Sequence, residues 1–391
     1  LTGVPGGEST SVSVNYLPYD LDNPTPIPLT DGGVITISVG DYPDTVYYNV
    51  NISLLSVSSI LSTAAATLQG SSDPWAAVDL GACGLYAGGT SSAPDRQAIV
   101  DDAIAAATAQ SLNDGALSKA YLGLRAMGID PDRIVAADGT IVSVTDALMT
   151  SDTNSYYNAP YVLLALAQSG KATAEKMDAV LTVMESAAGD DFLFSYSWGG
   201  VTYPSPDTAG AVLAAVSFCA ADSTDPYGIT DRCAALRDGI LNALSEDSLQ
   251  SASGSFGNSC TDAMVLVGLC AAGVDPSSDP RYMTSSGATP YTALLSCARA
   301  DGFGLTPGKD ADSFSTEQCF RAIVAVSGLL SDGDCCNVYD FTSLDSEMAY
   351  ATAASGCPVT FSTTPAGASV SLMGTDGTVE AISAGRYSLA E

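Results

Sequence analysis

The chain has 391 residues, 46% of them apolar, enough material for two or three domains with a sizeable core. Acidic residues outnumber basic ones 44 to 13, a formal charge of −31, and histidine is absent. This balance argues against nucleic acid and anionic membranes as partners, because both need Lys and Arg against phosphate, and the missing imidazole excludes Ser-His-Asp and Cys-His nucleophiles.

The first 55 residues lack a helical pattern. Prolines 18, 24, 26 and 28 punctuate them, and the runs at 33–39 and 45–55 are rich in β-branched and aromatic residues, which predicts strands. From 56 to 330 a different pattern recurs six times: a turn, an apolar helical run, then a small residue that stops it. Aligned on that residue, the copies end at Gly84, Gly128, Gly170, Cys219, Gly273 and Gly328, at steps of 42 to 55 residues. A period of this size means one supersecondary unit stacked on itself. The second helix of each unit is expected at 73–86, 114–127, 157–169, 206–220, 260–272 and 315–327, apolar on nearly every side and therefore buried. Its partner, at 56–69, 94–111, 143–150, 173–188, 230–246 and 289–299, is more amphipathic and suits an outer layer. An open stack needs polar terminal repeats. The last apolar helix is as greasy as the middle ones, so closure into a ring of six hairpins is expected.

Residues 331–356 read as a polar, Cys-containing connection. Residues 357–391 alternate apolar and polar positions around Pro-Ala-Gly and Thr-Asp-Gly turns, predicting a truncated β module. Of the ten cysteines, nine follow residue 200 and none is spaced Cys-x-x-Cys, which counts against a zinc ribbon. The even number and the adjacent Cys335-Cys336 pair suggest an oxidising, extracellular compartment with several disulfides. Candidate pairings are Cys219 with Cys260 or Cys270, and Cys297 with Cys335 or Cys336. No stretch is long and apolar enough to span a membrane. The chain shows no signal peptide and stops within a strand pattern, as expected of a mature or truncated piece whose targeting and anchoring ends lie elsewhere.

Several motifs carry a family likeness. Asp73-Pro74-Trp75, Asp207-Thr208-Ala209, Thr261-Asp262-Ala263 and Ser315-Thr316-Glu317-Gln318 open the first, fourth, fifth and sixth apolar helices. Ser255-Phe256-Gly257 and Gly302-Phe303-Gly304 precede the last two. On these residues the span 56–330 resembles the α/α toroid of the terpenoid cyclase and protein prenyltransferase superfamily. Asp207-Thr208-Ala209 followed by Cys219 is similar to runs in the cobalamin carriers of the intrinsic factor and transcobalamin type. Similar repeats flanked by β modules occur in secreted and surface proteins of Gram-positive bacteria, and Thr364-Pro365-Ala366-Gly367-Ala368 looks like the PEGA type of β module. The resemblance implies a mainly α (α/α)6 toroid with flanking β segments. It also implies a cell-surface or secreted protein, or a corrinoid carrier.

Enzymatic chemistries of that superfamily meet obstacles in the residues. A zinc site of Asp, Cys and His cannot be built without His. The Asp-x-Asp-Asp cluster of class II cyclases is absent, Asp310-Ala311-Asp312-Ser313 being nearest, and two Trp are few for a carbocation cavity. Gln318 has Ser315 where a thioester needs Cys. Asp332-Gly333-Asp334 with Asn337 and Asp340 supplies oxygen ligands, without EF-hand spacing. Glycan hydrolases and lyases need two carboxylates across a groove. Asp207, Asp262 and Glu317 fall in first turns of apolar helices, where helix capping explains them. In a toroid the apolar helices run parallel, so their N-termini gather at one mouth. Trp75, Asn158, Asp207, Asp262, Glu317 and Gln318 are expected there, with Tyr156, Tyr157, Trp198, Tyr203 and Phe256 from preceding loops. Aromatics beside polar groups in a concavity make a binding site. The expectation is a non-catalytic protein without cofactor or metal, presenting that mouth to a ligand or surface partner, a glycan or a corrinoid among them. A polysaccharide-acting enzyme using Asp207 and Glu317 is the alternative.

Overall fold

The computed structural model describes residues 57–84, 95–246, 248–333 and 335–353, together with strand residues 10–14, 17–19, 34–39, 46–51, 358–359, 370–373, 379–382 and 387–388. The chain divides into two compact units, Leu1–Ile60 and Leu61–Glu391.

In the first unit, β1 (Thr10–Val14), β2 (Leu17–Tyr19), β3 (Val34–Val39) and β4 (Val46–Asn51) form one antiparallel sheet in the order β2-β1-β3-β4. The strands expected at 33–39 and 45–55 are β3 and β4, in a register that sets Ile37 opposite Tyr48. Pro18 lies in the edge strand β2, the kind of strand that tolerates proline. Prolines 24, 26 and 28 lie outside the described residues.

The second unit is mainly helical. The division between the units falls within α1 (Val57–Leu68), and α2 (Pro74–Ala82), α3 (Arg96–Ala107) and α4 (Asp114–Ala126) follow. There follow β5 (Ile129–Val135), β6 (Ile141–Val142), α5 (Val144–Thr150), α6 (Ala159–Ser169) and α7 (Ala174–Ala188). The hairpin β7 (Ser195–Trp198) and β8 (Val201–Pro204) leads to α8 (Pro206–Ala220), α9 (Thr230–Leu244), α10 (Ser259–Ala271) and α11 (Pro290–Ser296). Then come β9 (Ala298–Arg299), β10 (Gly302–Phe303) and α12 (Ser313–Asp332). The end contributes β11 (Ala349–Thr352), β12 (Pro358–Val359), β13 (Val370–Met373), β14 (Val379–Ile382) and β15 (Tyr387–Ser388). The last four pair antiparallel, β12 with β15 and β13 with β14, and the Thr364–Ala368 motif lies outside the described residues.

Even-numbered helices carry the repeated apolar runs and are the buried ones. α8 buries residues on every side, from Thr208 through Ser217 without interruption, and α10 does so from Asp262 to Ala271. Odd-numbered helices bury one stripe; α7 buries Met177, Val180, Leu181, Met184 and Ala188 at helical spacing. The buried helices pack in sequence, α2 on α4, α4 on α6, α6 on α8, α8 on α10 and α10 on α12, and α12 returns to α2. Glycine permits the closest of these approaches. A Cβ on Gly210 would lie 2.2 Å from the Met264 carbonyl oxygen, and one on Gly268 would lie 2.5 Å from the Gly210 carbonyl.

The structure corrects the reading of 56–330 as all helix. β5 and β6 form a sheet with β11 in the order β11-β5-β6, and β7–β8 and β9–β10 are short antiparallel ribbons. The β-branched pairs Ile134-Val135 and Ile141-Val142 favour extended backbone there, and Ile134 and Val142 turn inward. Two stop positions also differ. Gly84, Gly128, Gly170 and Gly273 do take the left-handed conformation at φ of 63° to 72°. Gly328 does not end its helix: α12 continues to Asp332 and is capped by the left-handed Gly333. Gly328 lies mid-helix, where a Cβ would sit 2.4 Å from Cys336 Sγ. Cys219 likewise lies inside α8.

Residues 335–347, expected as a polar connection, bury Val338, Tyr339 and Phe341. Their backbone is read by the C-terminal halves of the buried helices. Asn337 Nδ2 donates to Ala214 O (2.9 Å) and the Cys336 N–H to Cys270 O (3.0 Å). Gln168 donates to Tyr339 O (2.8 Å) and accepts from the Phe341 N–H (3.1 Å), while Arg125 Nη2 donates to Phe341 O (3.2 Å). The segment therefore lies across the ends of α4, α6, α8 and α10. No disulfide joins the described cysteines, and the expected pairings are not made. Cys219 lies against Cys233 of α9 instead, and Cys297 Sγ faces Ala293 O. The pairing guess assumed neighbouring buried helices, whereas α8 presents Cys219 to the outer helix α9.

Candidate binding site

The first turns of α2, α6, α8 and α12 converge on a cavity of about 560 Å³. Each element supplies side chains for a local reason. In α2, Asp73 caps the helix by accepting the Trp75 N–H at 2.8 Å, and Pro74 at the first position presets the backbone. This fixes Trp75 in the first turn of α2, at the cavity wall. Asp73 also pairs with Lys119 of α4 at 2.8 Å, and the Lys119 ammonium lies 5.7 Å from the Trp75 ring centroid. α6 and α8 have no side-chain cap, and Tyr157 and Asp207 stand beside their uncapped ends. α12 contributes Phe314, Glu317, Gln318 and Arg321, four positions that share the face turned to the cavity.

Beneath the aromatic wall lies a buried ion pair. Arg321 donates from Nε to Asp79 Oδ1 at 2.7 Å, pairs with Glu317 one turn earlier, and donates from Nη1 to the Tyr339 hydroxyl at 3.4 Å. Asp79 is fully buried, and its second oxygen has no hydrogen-bond partner among the described residues. Burial pushes the Asp79 carboxyl well above its ordinary range, against the pull of Arg321, and Glu317 adds to the rise. Burial opposes the Arg321 charge, but Asp79 and Glu317 outweigh it and hold the guanidinium well above its ordinary value. The guanidinium also lies 4.9 Å from the Trp75 centroid and 5.7 Å from that of Tyr339. Tyr339 meets Trp75 and Tyr161 edge to face, and the Trp75 and Tyr161 rings are tilted against each other, with centroids 4.8 to 6.0 Å apart. Burial raises the phenols of Tyr161 and Tyr339, so both stay neutral donors.

Of the residues expected at the mouth, the cavity gathers Trp75, Tyr157, Asp207, Glu317 and Gln318. Tyr156 and Asn158 flank it. The Tyr156 and Tyr157 hydroxyls hydrogen-bond each other (2.9 Å), and Asn158 Nδ2 reaches Asp114 Oδ1 (2.8 Å) on the neighbouring helix. Trp198 and Tyr203 lie on the β7–β8 ribbon, where Trp198 is 77% exposed and Tyr203 stacks on Tyr196. Phe256 and Asp262 are elsewhere. Both are buried, and the Phe256 N–H donates to Asp262 at 2.6 Å, so this pair fastens the loop before α10. Burial pushes the Asp262 carboxyl up to about 6. The capping account of the three first-turn acids is corrected as well. Asn258 and Asp312 are the side chains that cap α10 and α12. Asp262 instead receives a loop N–H, Asp207 accepts from the Ser205 hydroxyl (2.7 Å), and Glu317 lies too far inside α12 to reach an unpaired N–H.

Sequence reasoning missed Asp79, Lys119, Tyr161, Phe314, Arg321 and Tyr339. Two left a signal: Asp79 and Arg321 are single charges inside apolar helical runs, which a buried helix tolerates only when they are paired. Among the described residues no three His, Cys, Asp or Glu side chains are placed to hold a metal ion, and no helix is long and apolar enough to cross a membrane. Of the calcium candidates, Asp334 lies outside the described residues, and Asp340 accepts from Thr342. No family model matches the chain, and no curated protein matches it.

Proposed function

We propose that the six helical hairpins form an (α/α)6 toroid and that its N-terminal mouth binds a polyhydroxylated ligand of the glycan class without transforming it. The observation that carries this reading is the composition of one cavity. Trp75, Tyr157, Tyr161 and Phe314 offer ring faces for the apolar face of a sugar, and Asp73, Asp207, Gln318 and Lys119 surround them with hydrogen-bonding groups. A volume of about 560 Å³ suits a small oligosaccharide. The uncapped first turn of α8 adds backbone donors. Against catalysis stands the commitment of Glu317 to Arg321, which leaves Asp207 without a matching free carboxylate across the cavity. A secreted or cell-surface setting, in the manner of the Gram-positive repeat proteins, rests on the acidic composition and the resemblance alone.

The chain has two tryptophans, and Trp198 is not among the cavity-lining residues, so a Trp198→Phe background makes Trp75 the single reporter. Titrating chito-, cello- and xylo-oligosaccharides into that protein should change its fluorescence saturably. Tyr157→Ala and Asp207→Asn, both at exposed positions, should weaken binding by about tenfold each, the scale of one lost stacking or charged hydrogen-bond contact. Absence of any saturable change would sink the glycan reading, and release of reducing ends would sink its non-catalytic part.

A further inference from the structure

A second cavity, of about 550 Å³, opens at the opposite ends of the buried helices, where α6, α8 and α10 terminate. We infer that this cavity is a binding site for an organic ammonium ion, a primary amine carried on an apolar or aromatic body. Four carboxylates line it, Asp222, Asp225, Asp340 and Asp345, and no Lys or Arg does. Arg125 pairs with Asp345 from outside the lining, which leaves three acids uncompensated. Each of the three is held by one oxygen. Asp222 accepts from Thr224, Asp225 from the Ile229 and Thr230 N–H groups, and Asp340 from Thr342. Helix C-termini add the negative ends of three dipoles to the same space.

An independent observation points to an absent ligand. Ser217, 6% exposed on α8, lines the cavity, and its buried hydroxyl has no hydrogen-bond partner among the described residues. A helical serine ordinarily satisfies itself on the preceding turn. This one does not, and an unpaired buried hydroxyl is costly unless a ligand completes it. The remaining wall sets the apolar Phe218, Pro226, Tyr227 and Ile229 beside the polar Gln168, Thr230, Asn337 and Thr342. The acids do not converge three to a point as a metal site would require. Dispersed negative charge over an aromatic floor instead fits a cation with an apolar body.

Isothermal titration of the full chain with phenethylammonium, set against the neutral 2-phenylethanol and the anionic phenylacetate, tests the assignment. The ammonium should bind and the other two should not. It should also shield Cys335, exposed at the cavity edge, from alkylation by iodoacetamide. Ser217→Ala and Asp340→Asn should each raise its Kd by about tenfold. Because the unpaired hydroxyl is costly in the empty site, Ser217→Ala should raise the ligand-free melting temperature or at least not lower it, which separates lost binding from lost folding. Equal binding of 2-phenylethanol, no protection of Cys335, or a Kd indifferent to both substitutions would overturn it. None of these readouts depends on the mouth, so the glycan reading stands or falls separately.

Discussion

Two acids show how burial decides what a carboxylate does. Asp79 and Asp262 both sit in apolar helices, but only Asp79 has a cation, Arg321, at 2.7 Å. Replacing Arg321 by Ala leaves Asp79 buried and unpaired. The expected cost is about 3–5 kcal/mol in urea denaturation. Adding Asp79→Asn to that variant should recover part of it, and a loss below about 1 kcal/mol would mean the pair is solvated. Asp262 has no cation, and burial raises its carboxyl from the ordinary 3.8 to about 6. A raised folded pKa means the folded state holds the proton more tightly. The resulting stability is complete below about pH 4 and disappears as pH rises towards 6. Asp262→Asn keeps an acceptor for the Phe256 N–H and does not titrate. It should abolish the pH 4–6 slope and exceed the parent above pH 6 by up to about 3 kcal/mol. Parallel slopes in the two proteins would refute the assignment.

At the scale of elements, the buried helices are spaced by what they lack. α8 and α10 cross where Gly210 faces the Met264 carbonyl and Gly268 faces Gly210. Gly210→Ala forces a methyl against backbone, which cannot swing aside, so it should cost about 3 kcal/mol or more by thermal denaturation. Gly70→Ala offers the contrast: nothing lies within 4 Å of its Cβ, and only its left-handed φ of 72° is strained. It should cost about 1 kcal/mol. Comparable losses at the two sites would argue against close α8–α10 packing. Helix positions were legible because four of the six stops are left-handed glycines. Gly328 carries the same letter with a different cause, close approach to Cys336, and one sequence cannot separate those two demands on glycine.

For the second unit as a whole, residues 335–347 supply what the repeats cannot. Tyr339 rises from that segment to the Trp75–Tyr161 pair and Arg321. Tyr339→Phe removes one hydroxyl contact of 3.4 Å and should cost about 1 kcal/mol or less. Tyr339→Ala empties the floor, with an expected cost of about 3–5 kcal/mol and weakened ligand binding at the mouth. A Tyr339→Ala variant as stable as the parent would show that this segment is not part of the core. The mouth itself was half legible. Trp75, Tyr157, Asp207, Glu317 and Gln318 come from helix starts that the repeat aligns. Phe256 and Asp262 carry the same signal and are buried away from it.

Sequence alone determined which helices are apolar all round, where most of them stop, and which chemistries lack their residues, because periodicity and composition are local properties of the chain. Only the tertiary structure decided which charges meet. Asp79 and Arg321 are 242 positions apart, and Gln168 reaches 171 positions to Tyr339. Such partners are chosen by how helices pack around a shared interior, and nothing in the neighbourhood of either residue records the other.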